Sequence, residues 1–110
     1  MAKNESLQGA LDLLVLKILA KRGPLHGYGI TMQIEQISEE VLRVEEGSLY
    51  PAMHRMEEAG WIRAEWVSTE GSKRRARYYE ITKEGRKRLA AEQLRWTAVT
   101  AAVSRVLALA

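Results

Sequence analysis

The sequence predicts a mainly α-helical fold with a two-stranded β wing and a long C-terminal helix. Apolar residues recur at helical spacing in four segments, residues 7–21, 30–37, 48–59 and 83–109, as they do in amphipathic helices. Two runs rich in Trp, Tyr, Ile and Val, residues 61–67 and 76–82, favour β-strands joined by a polar turn. The order helix, helix, helix, strand, strand is typical of a winged helix-turn-helix.

The first helix, residues 7–21, is apolar on most of its surface. Its strongly polar residues are only Gln8, Asp12, Lys17 and Lys21, so this helix requires burial on two sides. The segment Gly23-Pro24 then breaks the chain before the second helix.

Two interpretations of the segment that leads into the second helix, His26-Gly27-Tyr28-Gly29, remain open. In one, the start of the helix faces a phosphate, and its backbone N–H groups and the Tyr28 hydroxyl donate hydrogen bonds to it. In the other, Gly27 and Gly29 permit a tight turn and close helix packing, while Tyr28 fills the edge of the core.

The third helix is predicted to be a recognition helix because it has one apolar side and one side suited to a partner. Pro51 allows two starts for it, at Ser48 with Pro51 in the first turn, or near Glu46 with a bend. Gly60 is expected to end it in a left-handed conformation. Tyr50 either contacts DNA or braces the wing. The apolar side holds Leu49, Ala52, Met53 and Met56, and the partner side holds Ser48, Tyr50, Pro51, His54 and Arg55.

The predicted hairpin has a basic tip. A charge run of this kind is most often a solvated loop. Its position directly after a recognition helix also suits contact with a phosphate backbone, where each cation displaces counterions and adds affinity without sequence information. The cations are Lys73, Arg74, Arg75 and Arg77.

The last helix is predicted to start after Thr82, a suitable N-cap, and to run to about Leu109. A helix of about 40 Å is too long for so small a domain to cover. Its apolar stripe packs either on the chain's own first helix or on a second subunit. We predict a homodimer, because the first helix also has more apolar surface than one small domain can cover. Residues 1–82 then form the DNA-binding domain and 83–110 the dimerisation helix. The predicted dimer residues are Leu7, Leu11, Leu14, Leu89, Trp96, Val99, Val103 and Val106.

Charge is unevenly distributed along the chain, whose net charge is +3. Residues 35–58 contain seven acidic and two basic residues, a net charge of −5, whereas residues 71–88 have a net charge of +6. An acidic recognition region is unusual for a DNA-binding protein, because carboxylates repel the phosphates of DNA. The alternative prediction is therefore a winged-helix protein-interaction module that binds a basic partner, and a steep salt dependence of DNA binding separates the two.

Five motifs stand out along the sequence: His26-Gly27-Tyr28-Gly29-Ile30, Gly47-Ser48-Leu49-Tyr50-Pro51-Ala52, Arg55 to Ile62, Arg77-Tyr78-Tyr79 and Thr82-Lys83-Glu84-Gly85. Over roughly residues 7–109 the chain resembles the PadR family of bacterial transcriptional regulators in these motifs. The resemblance implies a DNA-binding winged-helix homodimer of the short subfamily that represses promoters, often near its own gene, and places Tyr28 beside the DNA backbone. Some members of the family hold a flat aromatic effector between the subunits, and Trp96 is either the candidate contact for such an effector or a packing anchor.

Other classes of protein are not favoured by the sequence. There is no cysteine, and the two histidines lack clustered ligand spacing, so we expect neither a disulfide nor a metal or cofactor. The sequence has no pattern of nucleophile, base and acid that would indicate an enzyme. The apolar segment 98–110 is too short for a membrane span. Without a leader sequence, the expected location is the cytoplasm.

Overall fold

A computed structural model describes residues 3–68 and 75–110, with side chains from residue 9 onward. Within these residues, four helices and three strands follow one another. The elements are α1 (Lys3–Arg22), β1 (Leu25–His26), α2 (Gly27–Ile37), α3 (Glu46–Glu58), β2 (Ile62–Ser68), β3 (Arg75–Ile81) and α4 (Lys83–Leu107).

The core lies between the first three helices and one face of the sheet. Helix α1 is central to it, because Val15, Leu16 and Leu19 are fully buried and Leu11 and Leu14 pack against the core from its edge. This confirms the prediction that α1 is covered on more than one side. The side chains that α2, α3 and the sheet contribute are Ile30, Ile34, Leu49, Ala52, Met53, Met56, Ile62, Tyr79 and Ile81.

The sheet has three antiparallel strands in the order β1-β3-β2. The predicted hairpin is confirmed, with Ile62 opposite Ile81 and Ser68 opposite Arg75, and its strand boundaries lie within one residue of the prediction. The strand β1, which pairs Leu25 with Tyr79, was not predicted from the sequence. Two residues are too few to show an alternating pattern.

Helix α3 starts at Glu46, so the earlier of the two predicted starts is correct and Pro51 lies inside the helix. It ends in a Schellman motif, in which the Trp61 N–H donates to the Met56 carbonyl and the Gly60 N–H to the Glu57 carbonyl, both at 3.0 Å. Gly60 has a φ of +82°, the left-handed conformation that was predicted there.

Thr82 connects the end of the hairpin, the end of α3 and the start of α4. Its hydroxyl oxygen accepts a hydrogen bond from the Gly85 N–H at 3.0 Å and donates to the Gly60 carbonyl at 2.6 Å. The predicted N-cap is therefore confirmed. Gly85 is buried so closely that a Cβ there would overlap the Trp61 carbonyl oxygen.

Helix α4 packs on α1 with its first half and then leaves the domain. Lys17 on α1 donates to Gln93 on α4 at 3.3 Å, and residues from 93 onward are exposed. The chain is consequently elongated, with principal extents of 61 × 29 × 27 Å.

Candidate nucleic-acid interface

Helix α3 is divided into a buried side and an exposed side, as predicted. Leu49 and Met56 are fully buried, whereas Ser48, Pro51 and His54 are exposed and Tyr50 is 44% exposed. The exposed side lies next to the wing formed by β2 and β3. It carries hydroxyl, imidazole and apolar groups, which are groups that can contact base edges and phosphates in a major groove.

The Tyr50 side chain packs closely against the start of α2. A Cβ at Gly27 would lie 2.6 Å from the Tyr50 hydroxyl oxygen and 3.0 Å from its Cζ, so only glycine allows this close approach. The tyrosine therefore braces α3 against α2 through its edge while part of its ring stays exposed.

Tyr28 lies on the same side of the molecule as Tyr50, in the first turn of α2. It is 60% exposed, and its ring stacks on His26 with centroids 6.4 Å apart. His26 is the N-cap of α2, because its Nδ1 accepts from the Gly29 N–H at 2.9 Å. The exposed Tyr28 does not fill the edge of the core, as one of the two interpretations of this segment required.

An open cleft of about 510 Å³ joins α2, α3 and the wing. Tyr28 and Tyr50 line one side of it, and Trp66 and Arg77 from the hairpin line the other. The cleft thus brings together residues from all three segments predicted to contact DNA.

Arg55 differs from its neighbours on α3 because it turns toward α1. Its Nη2 donates to Asp12 Oδ1 at 2.5 Å, and the two side chains are 40% and 16% exposed respectively. Burial raises the pKa of the Asp12 carboxyl, and the hydrogen bond and charge of Arg55 only partly offset this. The ion pair ties the recognition helix to α1.

Arg77 is also paired with a carboxylate. Its Nη2 donates to Glu57 Oε2 at 2.7 Å, and its guanidinium carbon lies 5.8 Å from the Trp66 ring centroid and 6.0 Å from that of Tyr79. Burial raises the pKa of the Tyr79 phenol, and the charge of Arg77 partly offsets this. The guanidinium therefore lies between the end of α3 and the aromatic face of the hairpin.

Of the other predicted wing cations, Arg75 is exposed and lies 5.7 Å from the Trp66 ring centroid. Lys73 and Arg74 lie outside the described residues.

Most acidic side chains of residues 35–58 have a basic partner within the chain. Besides Glu57, Glu58 contacts His54 at 3.1 Å, and Glu35 and Glu40 both lie within 4 Å of Arg43. The region is consequently less available to a basic partner than its net charge suggests. The His54–Glu58 pair has the i,i+4 spacing of neighbours on a helix, whereas the Glu57–Arg77 pair depends on how separate segments meet in the fold.

The C-terminal half of α4 carries an exposed apolar stripe. Trp96, Val99, Val103 and Val106 are 45–70% exposed, so the chain's own first helix does not cover them. Leu89 is instead buried in the chain's own core. The side chain of Leu7 lies outside the described residues, and Leu11 and Leu14 are partly buried.

The described residues contain no group of three His, Cys, Asp or Glu side chains that could hold a metal ion. In the same part of the chain, every helix is too short or too polar to cross a membrane.

The three-helix unit, the hairpin beside α3 and the exposed side of α3 define a winged helix-turn-helix protein of the DNA-binding class. The sequence model of the PadR-like transcriptional regulator family matches residues 15–91. The chain belongs to this family, and it is a DNA-binding transcriptional regulator rather than an enzyme.

Solved structures of related regulators support this assignment. A transcriptional regulator from Clostridium thermocellum is 27% identical, with a TM-score of 0.82 over 92% of this chain and 96% of that one. A PadR family transcriptional regulator from Eggerthella lenta is 28% identical, with a TM-score of 0.78 over 99% and 92% of the two chains. A PadR family regulator from Clostridium difficile is also 28% identical, with a TM-score of 0.72 over 88% and 97%.

Proposed function

We propose that the protein is a cytoplasmic, homodimeric repressor that binds specific operators near its own gene. The observation that carries the proposal is the exposed side of α3, whose opposite side is fixed in the core while the wing lies beside it. A helix held in this way can enter a major groove without distorting the domain.

Within this proposal the predicted contact residues divide into two groups. Ser48, Tyr50, Pro51 and His54 meet base edges and nearby phosphates, since they are exposed on α3. The Tyr28 hydroxyl and the wing cations Lys73, Arg74 and Arg75 meet phosphates, which adds affinity for any sequence.

Arg55 has a different part in the proposal. To reach a guanine edge it must leave Asp12, to which it donates a hydrogen bond at 2.5 Å. We therefore assign Arg55 to holding α3 on α1. A loss of affinity that is equal on all sequences after Arg55→Ala agrees with this role, and a change in base preference contradicts it.

Dimerisation is supported by the exposed stripe on α4. An apolar surface of this kind is typical of an interface between subunits, and a twofold axis would present two recognition helices to half-sites about one DNA turn apart. A flat aromatic effector could then stack on Trp96 between the subunits. The effector would act by changing the separation of the two recognition helices.

The function is tested by binding of the purified chain to duplex DNA. Fluorescence anisotropy should show tighter binding to a fragment from upstream of its own gene than to a random duplex of equal length, by about 1,000-fold or more. A footprint then locates the operator. Equal affinity for both duplexes at all salt concentrations would refute a sequence-specific regulator of that region.

The quaternary and effector proposals need separate measurements. Analytical ultracentrifugation should give twice the chain mass at micromolar concentration, and a single subunit there would refute the homodimer. Phenolic compounds should quench Trp96 fluorescence and weaken operator binding, and a Trp96→Phe variant serves as the control. No change in either signal contradicts an effector site at Trp96.

A further inference from the structure

Arg77 lies on β3, and its side chain reaches Glu57 at the end of helix α3. In the hairpin register it lies directly opposite Trp66, and directly opposed residues of an antiparallel pair share one face of the sheet. Tyr79, two residues further along β3, lies on the same face. The Arg77 guanidinium is flanked by these two rings on the face that the end of α3 covers.

Two of the three guanidinium nitrogens of Arg77 face the protein, while 40% of the side chain is exposed. One terminal nitrogen donates to Glu57 at 2.7 Å, and the Nε is buried without a hydrogen-bond partner. A DNA phosphate would have to displace Glu57 to receive a bidentate contact from this guanidinium. The Arg77 side chain therefore links strand β3 to helix α3.

The described part of the hairpin carries two ion pairs. Its second ion pair, Arg63 with Glu80 at 2.6 Å, joins β2 to β3 and stays within the hairpin. The Glu57–Arg77 pair instead connects the hairpin to the last turn of the recognition helix. Under the proposed function, the angle between the hairpin and α3 would determine how the wing lies along the phosphates beside the groove that α3 enters.

We propose that the Glu57–Arg77 pair is a positioning device that fixes the wing relative to the recognition helix, and that Arg77 supports DNA binding without touching DNA. The proposal rests on the proposed function for its effect on affinity. It also explains why an acidic residue lies beside the proposed DNA-binding surface, where a carboxylate would otherwise repel phosphates.

The two roles of Arg77 predict opposite effects of Glu57→Gln. If Arg77 were a phosphate ligand restrained by Glu57, this substitution would release the cation and binding would tighten. If the pair positions the wing, binding weakens. Glu58→Gln is the matched control, because it removes the same charge from the next residue, whose partner is His54 rather than the wing.

The binding arm measures both variants on the upstream fragment at 0.15 M salt, where charges more than about 8 Å apart are largely screened. We expect Glu57→Gln to bind about three- to tenfold more weakly than Glu58→Gln. After Glu57→Gln, a further Arg77→Gln should add little loss, because both changes remove the same interaction. Equal or tighter binding by Glu57→Gln overturns the proposal.

A second arm needs no DNA. The chain has no cysteine, so cysteines introduced at the exposed positions Val67 on β2 and Glu46 on α3 can carry two spin labels. Labelled chain is mixed with excess unlabelled chain, so that only distances within one subunit contribute. The distance distribution should broaden or shift in Glu57→Gln and stay unchanged in Arg63→Gln. An unchanged distribution in Glu57→Gln overturns the proposal.

The two arms separate failure of this inference from failure of the proposed function. If the wild-type chain binds no duplex, the proposed regulator is refuted and the spin-label distances alone decide whether the pair orients the wing. If the wild type binds DNA but either arm gives the contrary result, only the positioning device is refuted.

Discussion

The contact between Gly27 and Tyr50 makes the substitution Gly27→Ala informative. The added Cβ would lie 2.6 Å from the Tyr50 hydroxyl oxygen, and ordinary van der Waals contact requires about 3.4 Å or more. The oxygen must therefore retreat by about 0.8 Å. Because Tyr50 is partly exposed, its side chain can move outward, so the fold should tolerate the change while the proposed DNA-contacting ring is displaced.

The expected loss follows from one misplaced hydrogen bond. A neutral hydrogen bond contributes about 0.5–1.5 kcal/mol, which corresponds to roughly two- to twelvefold in affinity. We expect Gly27→Ala to weaken operator binding within this range, as measured by fluorescence anisotropy. Its free energy of unfolding in urea should fall by no more than about 1 kcal/mol.

Matched controls are available in the same surface. At Gly47, in the first turn of α3, a Cβ would meet nothing within 4 Å, and at Gly29 its nearest neighbour would be 3.4 Å away. Gly47→Ala should therefore leave DNA affinity unchanged. In a Tyr50→Phe background, which removes the closest atom, Gly27→Ala should lose most of its effect. Unchanged operator affinity in Gly27→Ala alone would refute the placement of the Tyr50 hydroxyl at the DNA.

Three further perturbations test other parts of the structure. Gly85→Ala should lower the free energy of unfolding by about 3 kcal/mol in urea titrations, because its Cβ meets the Trp61 backbone carbonyl, and a loss below 1 kcal/mol contradicts this packing. Burial raises the pKa of the Asp12 carboxyl above 3.8, so the protonated carboxyl stabilises the fold below pH 3.8, and this stabilisation is lost as the pH rises through the raised pKa. In chemical denaturation, the free energy of unfolding of Asp12→Asn should therefore fall less over that pH range than the free energy of unfolding of the wild type. An equal fall in the two proteins argues against the raised pKa. Val103→Glu should give a monomer in analytical ultracentrifugation, because it places a charge on the apolar stripe of α4. Ala101→Glu, on the opposite side of α4, should remain dimeric. A dimeric Val103→Glu variant would exclude this stripe as the interface.

The sequence was sufficient to predict the fold because its determinants are local. Helical periodicity predicted the four helices of the described residues, and runs rich in Trp, Tyr, Ile and Val predicted the hairpin strands to within one residue. Thr82 and Gly60 were recognisable because capping and left-handed helix ends depend on a few neighbouring positions. The short strand β1 was missed because its two residues form a strand only through pairing with β3.

The candidate site was less predictable because it depends on contacts between distant segments. The exposed side of α3 follows from the periodicity of the helix itself. The partners of Arg55 and Arg77 do not, since Asp12 and Glu57 are separated from them by 43 and 20 residues along the chain. A basic residue in a sequence carries no sign of whether it faces a phosphate or a carboxylate, and that difference decides its function.

The hydroxyl of Thr82 has a mechanical consequence for the proposed dimer. It connects the helix that would join the subunits to the turn that closes the recognition helix. With only this residue between β3 and α4, the two units have no flexible linker and should tilt together. Any change in how the long helices cross would then reach the operator-binding surface as a rotation of the whole winged-helix domain.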